Sequence, residues 1–452
     1  MRTLFANKFI VCGLLAALIL IPLGMIGGLV QERQARQSAV EADIARSGTG
    51  PQRIAGPVLV LPCTETWSES VGNGQGEVKY ATQKSRICTQ HVLPDLLEVD
   101  GEVDTDTRRR GLYEVLVYAA KLDIAGRYVL PAAPVAEHPA GVLRFDPPYL
   151  SLGLADPRGI AVAPVASVAG AERVFEPGAR NDALSAGIHA RLPELPRSAS
   201  TLPFTLAMRV NGLGQLDFLP LGRQTHVRLH SPWQHPSFVG AYLPASRRVD
   251  DAGFAAHWAT SFLATNILEQ YERALADPAQ RGTLEANGFG VRLAPAVDVY
   301  LKSERATKYG ILFVGVSFVS LLLTEVLKKL RIHPVQYGMV AIALSVFFLL
   351  VLALSEHLGF LPAYLVASVC CVGLLGFYLA HLLRDRRLAA AFAAVLAVFY
   401  ALLYGLLSAE DYALLMGSLL VFGLIATTMV LTRRVDWYAF GADAVTDRTA
   451  AS

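Results

Sequence analysis

The chain has 452 residues, of which 53% are hydrophobic and 17% charged, and its formal net charge is +2. Soluble domains carry about a quarter charged residues, so this composition points to a membrane protein. The small net charge argues against a nucleic-acid partner, because the basic residues collect beside apolar segments and are explained there.

The first apolar segment is Phe9–Val30, and a bilayer span needs about 20 mostly apolar residues. Its apolar core is longer than that of a signal peptide. No small-residue cleavage site precedes Gln31-Glu32-Arg33, so it reads as an uncleaved anchor. Gly24 and Gly28 have the spacing that lets a second helix approach, but the motif is common by chance in apolar runs and plain flexibility around Pro22 is the preferred reading. Beyond the span, Gln31–Ala45 continues as a helix. Gly48-Thr49-Gly50-Pro51 ends it before a first strand, Gly56–Leu61.

The block of residues 31–307 contains no further span and reads as β-rich. Alternating runs around Asn211-Gly212 predict a hairpin from Phe204–Val210 to Gln215–Leu219. A weaker hairpin is expected at Asp100-Gly101, after Leu96–Val99. Tyr113–Tyr118 and Lys121–Ala125 read as successive strands, and apolar residues at every second place from Phe254 predict another. One helix is expected over Ile267–Ala286, capped by Asn266. Gly72-Asn73-Gly74-Gln75-Gly76 reads as a loop tip. Cys63 and Cys88 are a candidate disulfide if this block lies in an oxidising compartment, and two buried thiols otherwise. Trp67, Trp233 and Trp258 are core residues or, less simply, a stacking platform for sugars.

Five apolar segments fill the last third: Tyr309–Leu327, Val335–Leu354, Phe360–Leu383, Leu388–Leu407 and Tyr412–Leu431. Lys and Arg mark cytoplasmic span ends. They occur at Arg2 and Lys8, at Lys328, Lys329 and Arg331, at Arg384, Arg386 and Arg387, and at Arg433 and Arg434. The opposite loops hold Ser355-Glu356-His357 and Ser408-Ala409-Glu410-Asp411. One arrangement satisfies these loops: both termini cytoplasmic and residues 31–307 outside. Lys302, Arg305 and Lys308 are the exception, since they precede the second span on the outer side.

Ionisable groups at membrane depth are functional candidates. Glu325 closes the second span and is expected to pair with Lys328 or Lys329 on its own helix. His333 and Gln336 open the third span around Pro334, a favoured early helical residue. Ser355, Glu356 and His357 are expected in the connection between the third and fourth spans. There they cap the fourth helix, dock the external block, or handle a proton or metal. No P-loop, GxSxG, HExxH, dinucleotide fingerprint or CxxC occurs, so no catalytic residue, cofactor site or metal site is assigned.

Several segments resemble one family. They are Arg109-Arg110-Gly111-Leu112-Tyr113-Glu114-Val115 with Val117-Tyr118; Pro236–Gly240 with Leu243-Pro244 and Gly253–Trp258; and Val297–Tyr300 with Lys302–Gly310. Arg331–Tyr337, Leu354–Phe360 and the closing Val435-Asp436-Trp437-Tyr438 complete the set. Together, in this order, they resemble the CreD family of bacterial inner-membrane proteins. The Cys63/Cys88 pair departs from that pattern. The resemblance implies membership of the Cre two-component regulon and envelope phenotypes such as colicin tolerance and responses to cell-wall stress. It brings no catalytic residue, cofactor or transported substrate.

The expectation is therefore an α+β membrane protein: six transmembrane helices, with a large β-rich, sandwich-like periplasmic domain inserted between helices 1 and 2. The segments are an anchor (1–30), the periplasmic domain (31–307), a five-helix membrane domain (308–434) and a cytoplasmic tail (435–452). The expected role is non-enzymatic, in envelope integrity or stress response, in the inner membrane. The partners would be the lipid bilayer and a periplasmic protein or cell-wall component. The alternative is a small transporter or channel using the polar residues at the bundle ends.

Overall fold

The computed structural model describes residues 2–72, 78–130, 136–193, 201–294, 299–328, 332–382, 385–408 and 413–433. Residues 73–76 of the expected loop tip, Lys329, Arg331, Arg384, Glu410, Asp411, Arg434 and the tail 435–452 lie outside the described residues, as does the side chain of Lys328. The chain forms two compact units. One comprises Met1–Ser38 with Val297–Ser452, the other Ala39–Ala296.

The first helix, α1 (Arg2–Ser47), runs unbroken through Pro22 and well past the apolar segment, as the charged stretch after Val30 predicts. It stops where Gly48 N–H bonds the Ile44 carbonyl. An added Cβ on Gly24 or Gly28 would meet nothing within 4 Å, so the glycine spacing receives no helix among the described residues.

The β-rich unit begins with β1 (Gln52–Gly72), β2 (Val78–Val92), β3 (Leu96–Arg110), β4 (Tyr113–Val129), β5 (Val142–Phe145) and β6 (Tyr149–Leu154). Short β7 (Val165–Val168), β8 (Ala171–Val174), β9 (Glu176–Pro177) and β10 (Gly187–Arg191) follow. Then come β11 (Thr201–Leu213), β12 (Gln215–Leu219), β13 (Gln224–Ser231), β14 (Pro236–Gly240), β15 (Ser246–Asp250) and β16 (Gly253–Ser261). Helices α2 (Phe262–Thr265), α3 (Ile267–Ala276) and α4 (Arg281–Glu285) precede the last strand, β17 (Phe289–Leu293).

These strands form two sheets. One runs β14-β17-β12-β1-β6-β10-β9, with β2 and β5 on the distal half of β1; the other runs β15-β16-β13-β3-β4-β11-β7-β8. Strand alternation turns one side chain in two inward. Along β11 this buries Leu202, Phe204, Leu206, Met208 and Val210, which share one core with Leu59, Leu150 and Leu216 of the first sheet. The two sheets are therefore one sandwich-like unit. A second apolar cluster seats Ile267, Tyr271 and Ala274 of α3 on Ala55, Val58 and Val60 of β1. Beyond the sandwich, β1 and β2 pair in register from Leu59↔Val92 outward, with Cys63 opposite Cys88. Their sulfurs are bonded, and the Cα atoms are 4.9 Å apart.

Both expected hairpins are corrected. β3 runs straight through Asp100-Gly101 and turns at Gly111, where φ is 64°. Asn211-Gly212 lies inside β11, and Gly214 (φ 66°) passes the chain to the other sheet, where β12 pairs parallel with β1. The two strands expected within Tyr113–Ala125 are one, β4. The strand from Phe254 is β16. The helix expected over Ile267–Ala286 is interrupted at Asp277-Pro278, and Asn266 makes no side-chain cap: it adopts φ 48° and donates to Glu269 instead. The tryptophans form no platform. Trp258 is fully buried, Trp233 donates to the Ala294 carbonyl, and Trp67 stacks on His138.

The helical unit adds α5 (Val299–Lys328), α6 (Pro334–Leu358), α7 (Phe360–Leu382), α8 (Arg386–Ser408) and α9 (Ala413–Thr432). Among the described residues, four helices are long and apolar enough to cross a membrane, within α5, α6, α7 and α8; a shorter apolar stretch, Leu415–Val430, lies in α9. Their shared core is rich in aromatic residues, including Phe313, Phe347, Tyr364 and Tyr400.

Candidate functional site

The polar residues of the helical unit gather at the two ends of the α5–α6 pair. At the α5 end, Glu325 is only 4% exposed. Its carboxylate accepts from Tyr337 Oη at 2.8 Å and from the Ile332 backbone N–H at 3.3 Å. Glu325 therefore reaches across to α6; the side chains of Lys328 and Lys329, with which it was expected to pair, lie outside the described residues. Tyr337 lies in the first turn of α6, which His333 opens. His333 Nδ1 accepts from Val335 N, and Gln336 Oε1 accepts from His333 N at 2.9 Å, a reciprocal capping box around Pro334. His333 and Gln336 thus fix where α6 starts, and with it the position of Tyr337.

At the opposite end the roles are exchanged. Tyr300, in the first turn of α5, donates to Glu356 Oε1 at 3.3 Å, and Glu356 is in the last turn of α6. Arg33 of α1 adds an ion pair, with Nε 3.5 Å from the same oxygen. The α5–α6 pair is thus held at each end by a tyrosine from one helix and a carboxylate from the other. Tyr337 and Glu356 are 19 positions apart on α6. At 1.5 Å per residue they are separated by roughly 28 Å, close to the thickness of a bilayer's hydrocarbon core.

Ser355, Glu356 and His357 are not in the connection between the two spans, where they were expected. All three lie inside α6, and Gly359 alone connects it to α7 (φ 78°). Ser355 is buried and donates to the Leu352 carbonyl at 2.9 Å, so it does not cap α7. Helical geometry places Glu356 on the α5 side, whereas His357 is exposed. Sequence reasoning missed Tyr300, Tyr337 and Arg33 as members of these sites. Tyrosine at a span end is ordinary membrane-interface chemistry, and only the antiparallel register shows which carboxylate each one meets.

Between the two ends aromatic rings pack α5, α6 and α8 together, and an apolar groove of about 280 Å³ opens between α6 and α7, lined by residues such as Ile342, Val346, Leu350 and Leu374. Tyr400 lies 4.5 Å from Phe313 and 4.4 Å from Phe347, centroid to centroid. Its hydroxyl donates to Cys371 Sγ at 3.1 Å, and its carbonyl accepts from Tyr364 Oη at 2.8 Å. No set of three or more His, Cys, Asp or Glu side chains placed to hold a metal occurs among the described residues.

Two groups in the β-rich unit carry perturbed protonation. His91 Nδ1 is 3.0 Å from Tyr271 Oη, which also accepts from Asn181 Nδ2 at 2.8 Å. The hydroxyl proton is therefore directed at His91, whose burial brings its pKa down to about 4. Asp217 sits opposite Arg53 in the parallel β1–β12 pairing, and burial raises its pKa above the usual carboxylate range. Asp217 accepts from Gln215 Nε2 at 2.7 Å, and both groups are internal polar contacts.

Compared with known proteins, residues 4–438 match the family model described as inner membrane protein CreD. The chain is 33% identical over 423 residues to the inner membrane protein CreD of Escherichia coli (strain K12), covering 94% of this chain and 91% of that protein.

Proposed function

Because the chain belongs to the CreD family of inner membrane proteins, we propose that it crosses the bacterial inner membrane six times and acts in envelope integrity without catalysing a reaction. In this reading both termini are cytoplasmic, and the β-rich unit lies in the periplasm, where it binds an envelope protein or wall component. The basic loops described above support that orientation.

The observation that carries the reading is the use made of the membrane carboxylates. Glu325 and Glu356 each accept from a tyrosine of the neighbouring helix, one bilayer thickness apart, and Phe313, Phe347 and Tyr400 pack against one another between them. A bundle arranged in this way is an anchor. The β-rich unit, by contrast, leaves large apolar side chains exposed on separate elements, among them Ile87, Leu243 and Leu263, and these are the positions at which the reading places a partner.

A transporter would need those same carboxylates free to exchange protons or ions. The test is Glu325→Gln with Glu356→Gln in the intact protein, scored for envelope phenotype and for ion flux in reconstituted vesicles. The anchor reading expects a folded protein, retained phenotype and no flux before or after substitution. Flux by the native chain that the substitutions abolish would establish the transporter instead.

A further inference from the structure

We propose that the start of α5 holds the phosphate group of a membrane lipid, with Arg305 and Lys302 as its ligands. The inference rests on the membrane reading of the helical unit and is independent of which leaflet this end faces.

Charge is the first argument. Lys302, Arg305 and Lys308 precede the apolar part of α5, and Glu304 and Glu356 are the carboxylates beside them among the described residues of the helical unit. Both carboxylates are already engaged, Glu304 with Lys308 at 2.8 Å and Glu356 with Arg33 at 3.5 Å. Lys302 and Arg305 form no ion pair among the described residues, although the Glu304 carboxylate feels the Arg305 charge. Three positions apart on a helix, they share a face. The Lys302 ammonium rests 5.8 Å from the centre of the Phe360 ring.

Arg305 supplies the second argument. Its Nη1 is buried and has no hydrogen-bond partner among the described residues. Leaving a charged donor buried and unpaired is expensive, and in an apolar surrounding more so. A guanidinium fork matches two oxygens of one phosphate.

Depth selects a lipid. Arg305 lies four residues before Tyr309, where the apolar run begins, so about 6 Å outside the hydrocarbon boundary. The headgroup layer is about 5–8 Å thick on each side. Phosphate oxygens of the bilayer therefore lie at the level of the unpaired guanidinium. Free inorganic phosphate shares this chemistry, and the test separates the two sources.

The full-length protein would be extracted in mild detergent and phosphate-free buffer and examined by native mass spectrometry. Retention of one phosphate-bearing lipid per native chain is expected. Arg305→Gln should reduce that retention roughly tenfold or more, as loss of a charge-assisted contact implies; Lys302→Gln should act in the same direction, and Lys308→Gln should change nothing. Arg305→Lys, which keeps the charge but not the fork, should fall between and guards against a folding defect. Binding of inorganic phosphate to delipidated native protein but not to Arg305→Gln would assign the site to free phosphate. Equal lipid retention by the native chain and Arg305→Gln, with no phosphate bound by either, would overturn the proposal. Carbonate extraction of the same membranes reads the membrane assignment separately, so a protein that stays in the membrane but holds no lipid sinks only this inference.

Discussion

At the scale of single residues, His91 makes the sharpest prediction. In the folded unit it is neutral, accepting from Tyr271, and its pKa is about 4, against about 6.5 for an exposed histidine. Between these values the unfolded chain binds a proton that the folded one refuses, so stability is complete above pH 6.5 and lost as pH falls toward 4. The total is on the order of 3 kcal/mol. Thermal unfolding followed between pH 7 and 4 should show this acid loss, and His91→Gln should flatten it. An unchanged acid limb in that variant would assign the loss to other groups. Two glycines make a second prediction. An added Cβ on Gly101 would lie 2.5 Å from Leu229 Cδ2, and one on Gly212 2.3 Å from Tyr118 Oη. Gly101→Ala and Gly212→Ala should each destabilise by about 1–3 kcal/mol through overpacking. Gly111→Ala, at an open turn with positive φ, should cost about 1 kcal/mol through backbone strain.

At the scale of elements, those glycines show what the sequence could and could not reveal. Asp-Gly and Asn-Gly are the strongest short turn signals, yet here each glycine makes room for a residue of a neighbouring strand inside a continuous one. Whether glycine serves φ or space is decided by a strand remote in sequence, so local reading placed both hairpins wrongly. Apolar runs, by contrast, carry their meaning locally: the helical segments of the last third and the run from α1 into a charged helix were legible. The candidate site was half legible. Glu325 and Glu356 were singled out, but their tyrosine partners require the α5–α6 register. Tyr300→Phe and Tyr337→Phe should each lower stability in detergent by about 0.5–2 kcal/mol. A double-mutant cycle of Tyr337→Phe with Glu325→Gln should show coupling; strict additivity would mean that the contact contributes nothing. In the β1–β2 arm, Cys63 and Cys88 are 25 residues apart. Replacing both by Ala should remove up to about 3 kcal/mol under oxidising conditions and nothing under reducing ones, read as the denaturation midpoint of the arm.

At the scale of the whole molecule, a helical bundle with an aromatic core is joined in sequence to a two-sheet unit of more than half the chain. In the proposed function the bundle's polar groups hold helices together and recognition falls to the β-rich unit. It follows that substitutions in the clasps should act on protein abundance, while substitutions on exposed apolar positions such as Ile87 or Leu263 should act on phenotype at unchanged abundance. Immunoblotting beside an envelope-stress assay would separate the two. Reversal of that pattern would place the function in the helices.

The most direct test of the binding account is photocrosslinking in living cells from the intact protein, with a photoreactive residue placed in turn at Ile87, Leu243 and Leu263. The account predicts one reproducible envelope protein or wall fragment captured from at least one of these positions and lost when the neighbouring surface is made charged. Capture from none of them, by a stable and abundant protein whose phenotype disappears with Glu356→Gln, would contradict it.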